Sequence, residues 1–202
     1  MAGLIAIVNY GVGNLRSVER ALAEVGANPV LSSDPDPLAR ASGLVLPGVG
    51  AFAHAVRSLE ASNLGRAVVD LAHRGTPVLG VCLGYQLLFE ESSEHGRNRG
   101  LGLLRGQVSK IQNSPRLPVI GWCRLHQEAD SPLWAGVAQD SYFYFVHSFT
   151  PQGSPDALAS TGHARVAAAG RGAVMGTQFH PELSGRDGLR IYRNFVDLCG
   201  AG

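Results

Sequence analysis

The residue best placed for nucleophilic chemistry is Cys82, set between two glycines in Gly80-Val81-Cys82-Leu83-Gly84. An apolar run over residues 77–81 precedes it, and a helical stretch over 83–91 follows. That order predicts a strand–turn–helix elbow, which holds a nucleophile in a strained turn where neighbouring side chains would clash. At a helix start, aligned peptide dipoles and free N–H groups favour thiolate over thiol. The same N–H groups can receive a developing oxyanion. A free thiol is more often a small buried hydrophobe; the elbow tips Cys82 towards function.

A thiol nucleophile needs a base, and the base needs an orienting group. The chain has seven histidines. His180-Pro181-Glu182 follows an apolar run over 174–179, which places it at a sheet end with Pro181 fixing the local backbone. Glu182 can reach back to one ring nitrogen of His180 and leave the other facing the thiol. Alone this would read as a surface turn; beside the Cys82 elbow it reads as a triad. His147, in Val146-His147-Ser148-Phe149, also lies on a predicted strand and competes for the role of base. His54, His73, His95 and His163 sit in helical or polar loop contexts and are expected to be solvated. His126 lies among polar residues with no evident partner.

Pro47-Gly48-Val49-Gly50 ends another predicted strand. In a parallel sheet it shares the carboxyl edge with Cys82, where ligands bind, and its backbone could turn an N–H towards an acyl oxygen. On turn chemistry alone it is equally an ordinary connection. Tyr10-Gly11-Val12-Gly13-Asn14 lacks the G-x-G-x-x-G spacing, and no Walker lysine follows, so nucleotide binding is not expected.

The elements that must carry these residues alternate. Apolar runs at 4–8, 29–31, 43–46 and 77–81 read as buried strands; 15–25, 52–59, 64–74 and 83–91 have helical spacing. This order predicts a parallel sheet with helices on both faces. From about residue 101 the texture changes. Stretches at 108–111, 124–125, 141–149, 166–169 and 174–178 read as strands between Gly/Pro turns, expected to add mixed or antiparallel strands to the same sheet. A final helix is predicted over 188–199, and with no linker or repeat the chain reads as one domain over 1–202.

Composition agrees. The chain has 202 residues, 45% hydrophobic and 16% charged, enough apolar material for a sizeable core and too little charge for disorder. Seventeen Lys and Arg against sixteen Asp and Glu leave a net charge of +1, with no basic excess for nucleic acid or an anionic membrane. Cys82, Cys123 and Cys199 form no CxxC pair and no zinc spacing, which argues against a disulfide scaffold; no metal and no cofactor are expected. No run of about 18 apolar residues predicts a membrane span. Residues 1–8 lack the basic start of a signal peptide and read as a buried strand. The cytoplasm is the expected location.

Gly80-Val81-Cys82-Leu83-Gly84-Tyr85-Gln86 together with His180-Pro181-Glu182 resembles the class I, triad-type glutamine amidotransferase family. Within it, the stretches 10–17 and 46–52, Gly121-Trp122 and Tyr144-Phe145-Val146-His147-Ser148 resemble the glutaminase subunits of imidazole glycerol phosphate synthase. The resemblance runs from about Ile5 to Phe195. It implies a flavodoxin-like, three-layer α/β fold and hydrolysis of glutamine to glutamate and ammonia. It also implies a separate cyclase subunit, a (β/α)8 barrel, which uses the ammonia to make imidazole glycerol phosphate and AICAR in histidine biosynthesis. By position, Cys82 is the nucleophile, His180 the base and acid, and Glu182 the orienter. Gly50 and Leu83 supply oxyanion-hole N–H groups; Gln86, Glu94, Ser148 and Phe149 hold the glutamine backbone. Asn14, Trp122 and Tyr144 face the cyclase.

Two stretches depart from the family pattern. Leu183 stands where a Lys usually follows His-Pro-Glu and pairs across the cyclase interface, and Val119-Ile120-Gly121-Trp122-Cys123 replaces the usual His-Met-Gly-Trp-Asn. Two other readings share the elbow: a glutaminase serving a different ammonia-using synthase, and a stand-alone γ-glutamyl hydrolase. Gly48 and Gly50 permit a peptide flip at little steric cost. The isolated subunit is therefore expected to be nearly inactive until the cyclase and its ligand turn that backbone.

Overall fold

The computed structural model describes residues 3–200; Met1 and Ala2, at the start of the predicted first strand, lie outside the described residues. The first half runs β1 (Leu4–Val8), α1 (Leu15–Glu24), β2 (Asn28–Ser32), α2 (Pro35–Ala39), β3 (Gly43–Leu46), α3 (Phe52–Ala61), α4 (Leu64–His73), β4 (Val78–Val81) and α5 (Leu83–Leu87). The second half is strand-rich: β5 (Phe89–Ser92), β6 (Asn98–Arg99), β7 (Leu104–Lys110), β8 (Val119–Arg124) and β9 (His126–Gln127). Then follow β10 (Tyr142–His147), β11 (Phe149–Pro151), β12 (Ala157–Ser160), β13 (Ala168–Arg171), β14 (Val174–Thr177) and α6 (Gly185–Gly200).

The main sheet has the order β2-β1-β3-β4-β14-β13-β12-β9. Its first five strands are parallel, and β13, β12 and β9 continue it antiparallel. β3, β4 and β14 are buried along their whole length, as strands covered on both faces must be. Alternation along β1 and β3 divides the core. Ile5, Ile7 and Val45 face Val18 and Leu22 of α1 and Ile191 and Phe195 of α6. Ala6, Val8, Leu44 and Leu46 face Phe52 and Leu59 of α3, Val68 of α4 and Leu87 of α5. Each large side chain buried this way contributes about 1.5–3 kcal/mol, so two apolar layers hold the sheet rigid.

Part of the second half leaves the main sheet, contrary to the expectation from sequence. β10 and β8 form an antiparallel pair of their own, and β11, β7, β5 and β6 form a small mixed sheet. The predicted strand over 141–149 breaks at Ser148 between these two sheets. The predicted helix over 83–91 stops at Leu87. The returning chain caps it: the N–H groups of Leu101, Leu103 and Leu104 donate to the carbonyls of Leu87 and Leu88, which frees Phe89 to begin β5.

Candidate active site

β1, β3, β4 and β14 run parallel, so the segments that follow them emerge at one edge of the sheet. Those segments are the Tyr10 turn, Pro47-Gly48-Val49-Gly50, Cys82 and Gln178-Phe179-His180.

Cys82 sits at the hinge between β4 and α5 with φ 55° and ψ −110°, a conformation that costs about 1–3 kcal/mol for a residue with a side chain. It is locked from both sides. Its N–H donates to the Thr177 carbonyl (2.9 Å), and its carbonyl accepts from the Gln86 N–H (3.2 Å). The flanking glycines are there because α5 lies directly on the strand ends. A Cβ on Gly84 would overlap the Leu46 carbonyl, and one on Gly80 would meet Tyr85 and Leu88.

His180 is placed by β10. Its N–H donates to the Tyr144 carbonyl (2.9 Å), while Ser184 Oγ donates to the His180 carbonyl (2.6 Å) and accepts from the Tyr144 N–H (3.0 Å). The ring is almost wholly enclosed, 3% exposed. Nδ1 lies 2.8 Å from Glu182 Oε1, and the second carboxylate oxygen accepts from the Tyr192 hydroxyl at 3.2 Å. Burial, and then the Glu182 charge, push the Tyr192 phenol well above its ordinary pKa, so it stays a donor. Burial also opposes charge on His180, but hydrogen bonding and charge from Cys82 and Glu182 outweigh it and raise its pKa from 6.5 to about 10. Nε2 is buried without a conventional hydrogen bond. With Nδ1 taken by Glu182, the interaction with Cys82 falls to Nε2.

Cys82 and His180 line one cleft of about 380 Å³. Gly50, Leu83, Gln86, Glu94, Ser148 and Phe149, all picked out in the sequence, line it too, with Val49, Pro118, Val146 and His147. A recess of about 440 Å³ by Pro77, Asp130 and Met175 holds no nucleophile–base pair; chemistry rather than size singles out the Cys82 cleft. Glu94 Oε2 accepts from the Phe52 N–H (2.8 Å). Gln86 Nε2 donates to the Phe149 carbonyl (2.8 Å) and to Gln178 Oε1 (3.0 Å). Among the described residues no group of three or more His, Cys, Asp or Glu could hold a metal ion.

The two candidate oxyanion donors differ. The Leu83 N–H is occupied, donating to the Gly48 carbonyl at 3.2 Å. Gly50 lines the cleft with φ 101°, a backbone state suited to glycine. The Tyr10 hydroxyl donates to the Pro47 carbonyl (2.8 Å) and fixes this segment; burial, then the charge of Cys82, hold its phenol well above the usual range.

Three histidine expectations change. His147 has both nitrogens engaged, Nδ1 with the Phe149 carbonyl (2.9 Å) and Nε2 with His163 Nε2 (3.0 Å), so it is not free to act as the base. Burial lowers its pKa to about 4 against that carbonyl bond, with the His163 and His180 charges adding to the drop. His163, expected to be solvated, is half-buried between His147 and the Thr161 hydroxyl (3.2 Å) because both imidazoles pack on Phe145. His126 does have a partner, Asp140 Oδ1 at 3.3 Å. His54, His73 and His95 are exposed.

Of the residues assigned to a partner face, Trp122 and Tyr144 meet edge to face across the β8–β10 pair, ring centres 6.2 Å apart. Trp122 is 55% exposed; Ile120 and Tyr142 on the same strand pair, and Leu183 nearby in sequence to His180, are exposed as well. Asn14 is at the start of α1, in a recess with Asn9 and Arg16. Sequence reasoning did not single out Gln178, Ser184 or Tyr192 for the site. Tyr192 was legible only as one apolar position of the last helix, and Gln178 only as a strand end.

A thiol at a strained elbow, an enclosed imidazole and a carboxylate behind it, on a doubly covered parallel sheet, define a triad-type cysteine hydrolase suited to acyl transfer from an amide. The family model described as glutamine amidotransferase class-I matches residues 6–198. Proteins named imidazole glycerol phosphate synthase subunit HisH are similar over nearly the whole length. That of Methanosarcina barkeri is 43% identical, covering 96% of this chain and 98% of its own; that of Gloeobacter violaceus is 46% identical, covering 98% and 90%. Among solved structures, PurLQS from Thermotoga maritima matches with a TM-score of 0.78 at 22% identity, over 98% of this chain and 99% of that one. A structure titled glutamine amidotransferase matches with a TM-score of 0.79 at 20% identity, over 98% and 99%. These two speak for the fold alone. The chain belongs to the class-I glutamine amidotransferase family, in the branch formed by the HisH subunits.

Proposed function

We propose that this chain is the glutaminase subunit of imidazole glycerol phosphate synthase, hydrolysing glutamine and passing the ammonia to a cyclase subunit in histidine biosynthesis. The observation that carries the chemistry is one cleft holding Cys82 and His180, with His180 Nδ1 fixed 2.8 Å from Glu182. Cys82 thiolate attacks the side-chain amide carbon of glutamine, and the His180 imidazolium gives a proton to the leaving ammonia. The neutral ring then takes a proton from water, which attacks the thioester and releases glutamate. Gln86 and Glu94, with the Ser148-Phe149 edge, hold the α-amino and carboxylate end of the substrate. Cytoplasmic location and a (β/α)8 barrel partner belong to the same reading.

The occupied Leu83 N–H supports a gated site. While the Gly48 carbonyl sits on that donor, it cannot receive an oxyanion, and one such donor is worth about 3 kcal/mol. Turning the 48–50 backbone removes the carbonyl and brings N–H groups of that segment, Gly50 among them, to the acyl oxygen. The face turned to the partner is Asn14 with Trp122 and Tyr144, to which the exposed Ile120 and Tyr142 of the same strand pair add.

The test is a glutaminase assay of the chain alone, with the cyclase subunit, and with the cyclase plus its formimino substrate. Ammonia release that is low alone and rises with each addition supports the reading. Full activity of the single chain on γ-glutamyl peptides would overturn it in favour of a stand-alone hydrolase.

A further inference from the structure

Gln178 follows directly on β14, is completely buried behind the cleft residues Cys82 and Gln86, and has no role in the chemistry above. A fully buried carboxamide must find partners for its donors and acceptor. Its orientation can be deduced from the bonds around it. The Phe149 carbonyl can only accept, and it receives both His147 Nδ1 (2.9 Å) and Gln86 Nε2 (2.8 Å). Gln86 must therefore turn its amide nitrogen inwards, and its second N–H goes to Gln178 Oε1 at 3.0 Å. With its oxygen so engaged, Gln178 is left presenting Nε2–H to the Cys82 sulfur, 4.0 Å away. The Gln178 backbone N–H is pinned separately to the Ala167 carbonyl (2.8 Å), so the side chain swings from a fixed root.

We propose that Gln178 is a positioning residue for the nucleophile, its amide N–H steadying the Cys82 thiolate and tying the sulfur, through Gln86, to the glutamine-binding edge at Phe149. This deepens the glutaminase reading and rests on it for the identity of the substrate. A thiolate is a charged acceptor, and hydrogen bonds to charged groups are the stronger kind. The bond shortens when the sulfur is ionised and weakens when it is a neutral thiol. A substrate that displaces Gln86 or Phe149 disturbs the same relay, so binding and thiolate position are coupled. The titratable groups facing this sulfur are His180 with Glu182 behind it, Tyr10 from the β1 turn and His147 across the cleft.

The experiment compares wild type with Gln178→Met and Gln178→Glu, each in the complex with the cyclase subunit. Two measurements are made: the pH profile of Cys82 alkylation by iodoacetamide, located by mass spectrometry, and steady-state kinetics giving kcat and KM for glutamine. Gln178→Met removes the N–H at similar volume. The expected result is an alkylation profile moved to higher pH by about one unit and kcat lowered about tenfold, with KM within about twofold. Gln178→Glu keeps an acceptor for Gln86 but sets a carboxylate beside the sulfur, and the shift should be larger still. A merely structural residue would leave the alkylation profile of any folded variant unchanged. Superimposable profiles for wild type and either folded variant overturn the proposal. The alkylation arm needs no turnover, so an inactive wild-type complex would count against the glutaminase reading while Gln178 is still tested.

Discussion

The backbone N–H of Leu83 points at the carbonyl of Gly48, 3.2 Å away, so one donor beside the candidate nucleophile is spent on the protein itself. Tyr10 stabilises that state by holding the adjacent Pro47 carbonyl at 2.8 Å. Tyr10→Phe removes the restraint without changing the packing volume appreciably. A neutral hydrogen bond contributes about 1 kcal/mol, so partner-free glutamine hydrolysis should rise about fivefold and the activation by the cyclase should shrink accordingly. Steady-state ammonia release with and without the partner measures both.

Glu182→Gln keeps the shape of the carboxylate but removes the charge that fixes the imidazole. In a triad this change lowers kcat on the order of 10³–10⁴-fold. It also alters the pH response of stability. His180 carries its proton up to about pH 10 in the folded chain, against 6.5 unfolded, so its contribution is fully present below pH 6.5 and is lost as pH rises towards 10. Urea unfolding across that alkaline window should show wild-type stability falling with pH and a flatter profile in Glu182→Gln. The His180 ring resonance, followed by NMR, should titrate at lower pH in the variant.

His147 runs the opposite way. Its folded pKa of about 4 lies below the unfolded 6.5, so the unfolded chain takes up the proton first and stability falls as pH drops from 6.5 to 4. The full difference is about 3 kcal/mol. His147→Asn should remove most of that acid slope while lowering stability at neutral pH, because the Phe149 and His163 bonds are lost. Thermal melts at a series of pH values between 4 and 7 check it.

Trp122→Ala should weaken association with the cyclase subunit by about 2 kcal/mol, roughly 30-fold in Kd, since large exposed aromatics are typical energetic anchors of interfaces. The exposed side chain supports nothing in the core, so the melting temperature of the free chain should hardly move. Titration calorimetry and a melt separate the two effects.

The parallel half of the fold was readable because its strands are short apolar runs and its helices carry a clear period, as in Ile5-Ala6-Ile7 and Leu15, Val18, Leu22. The elbow was readable for the same reason: glycines on both sides of a cysteine answer a local steric demand, seen where Gly84 meets Leu46. The second half was harder. Phe89 continues a helical pattern in the sequence, and only the returning chain at Leu101 to Leu104 ends the helix before it. His163 looked solvated because its partner His147 comes from a separate strand. Gln178 and Tyr192 escaped notice since an interior amide and an interior phenol gain meaning only from what faces them. Spacing brought Cys82, His180 and Glu182 to attention, but Cys82 is held by Thr177 from a distant strand and Glu182 by Tyr192 from the helix that follows.

The pairing of β14 with β4, Thr177 opposite Val81, is what sets the thiol beside its imidazole. Ninety-six positions separate Cys82 from Gln178, so during synthesis the sulfur leaves the ribosome long before the strand that completes its surroundings. Until that strand inserts, the cysteine has neither the His180 imidazole beside it nor the Thr177 carbonyl that anchors its backbone. A chain in which β14 has not yet paired with β4 therefore lacks the assembled site, whatever the ordinary reactivity of its free thiol.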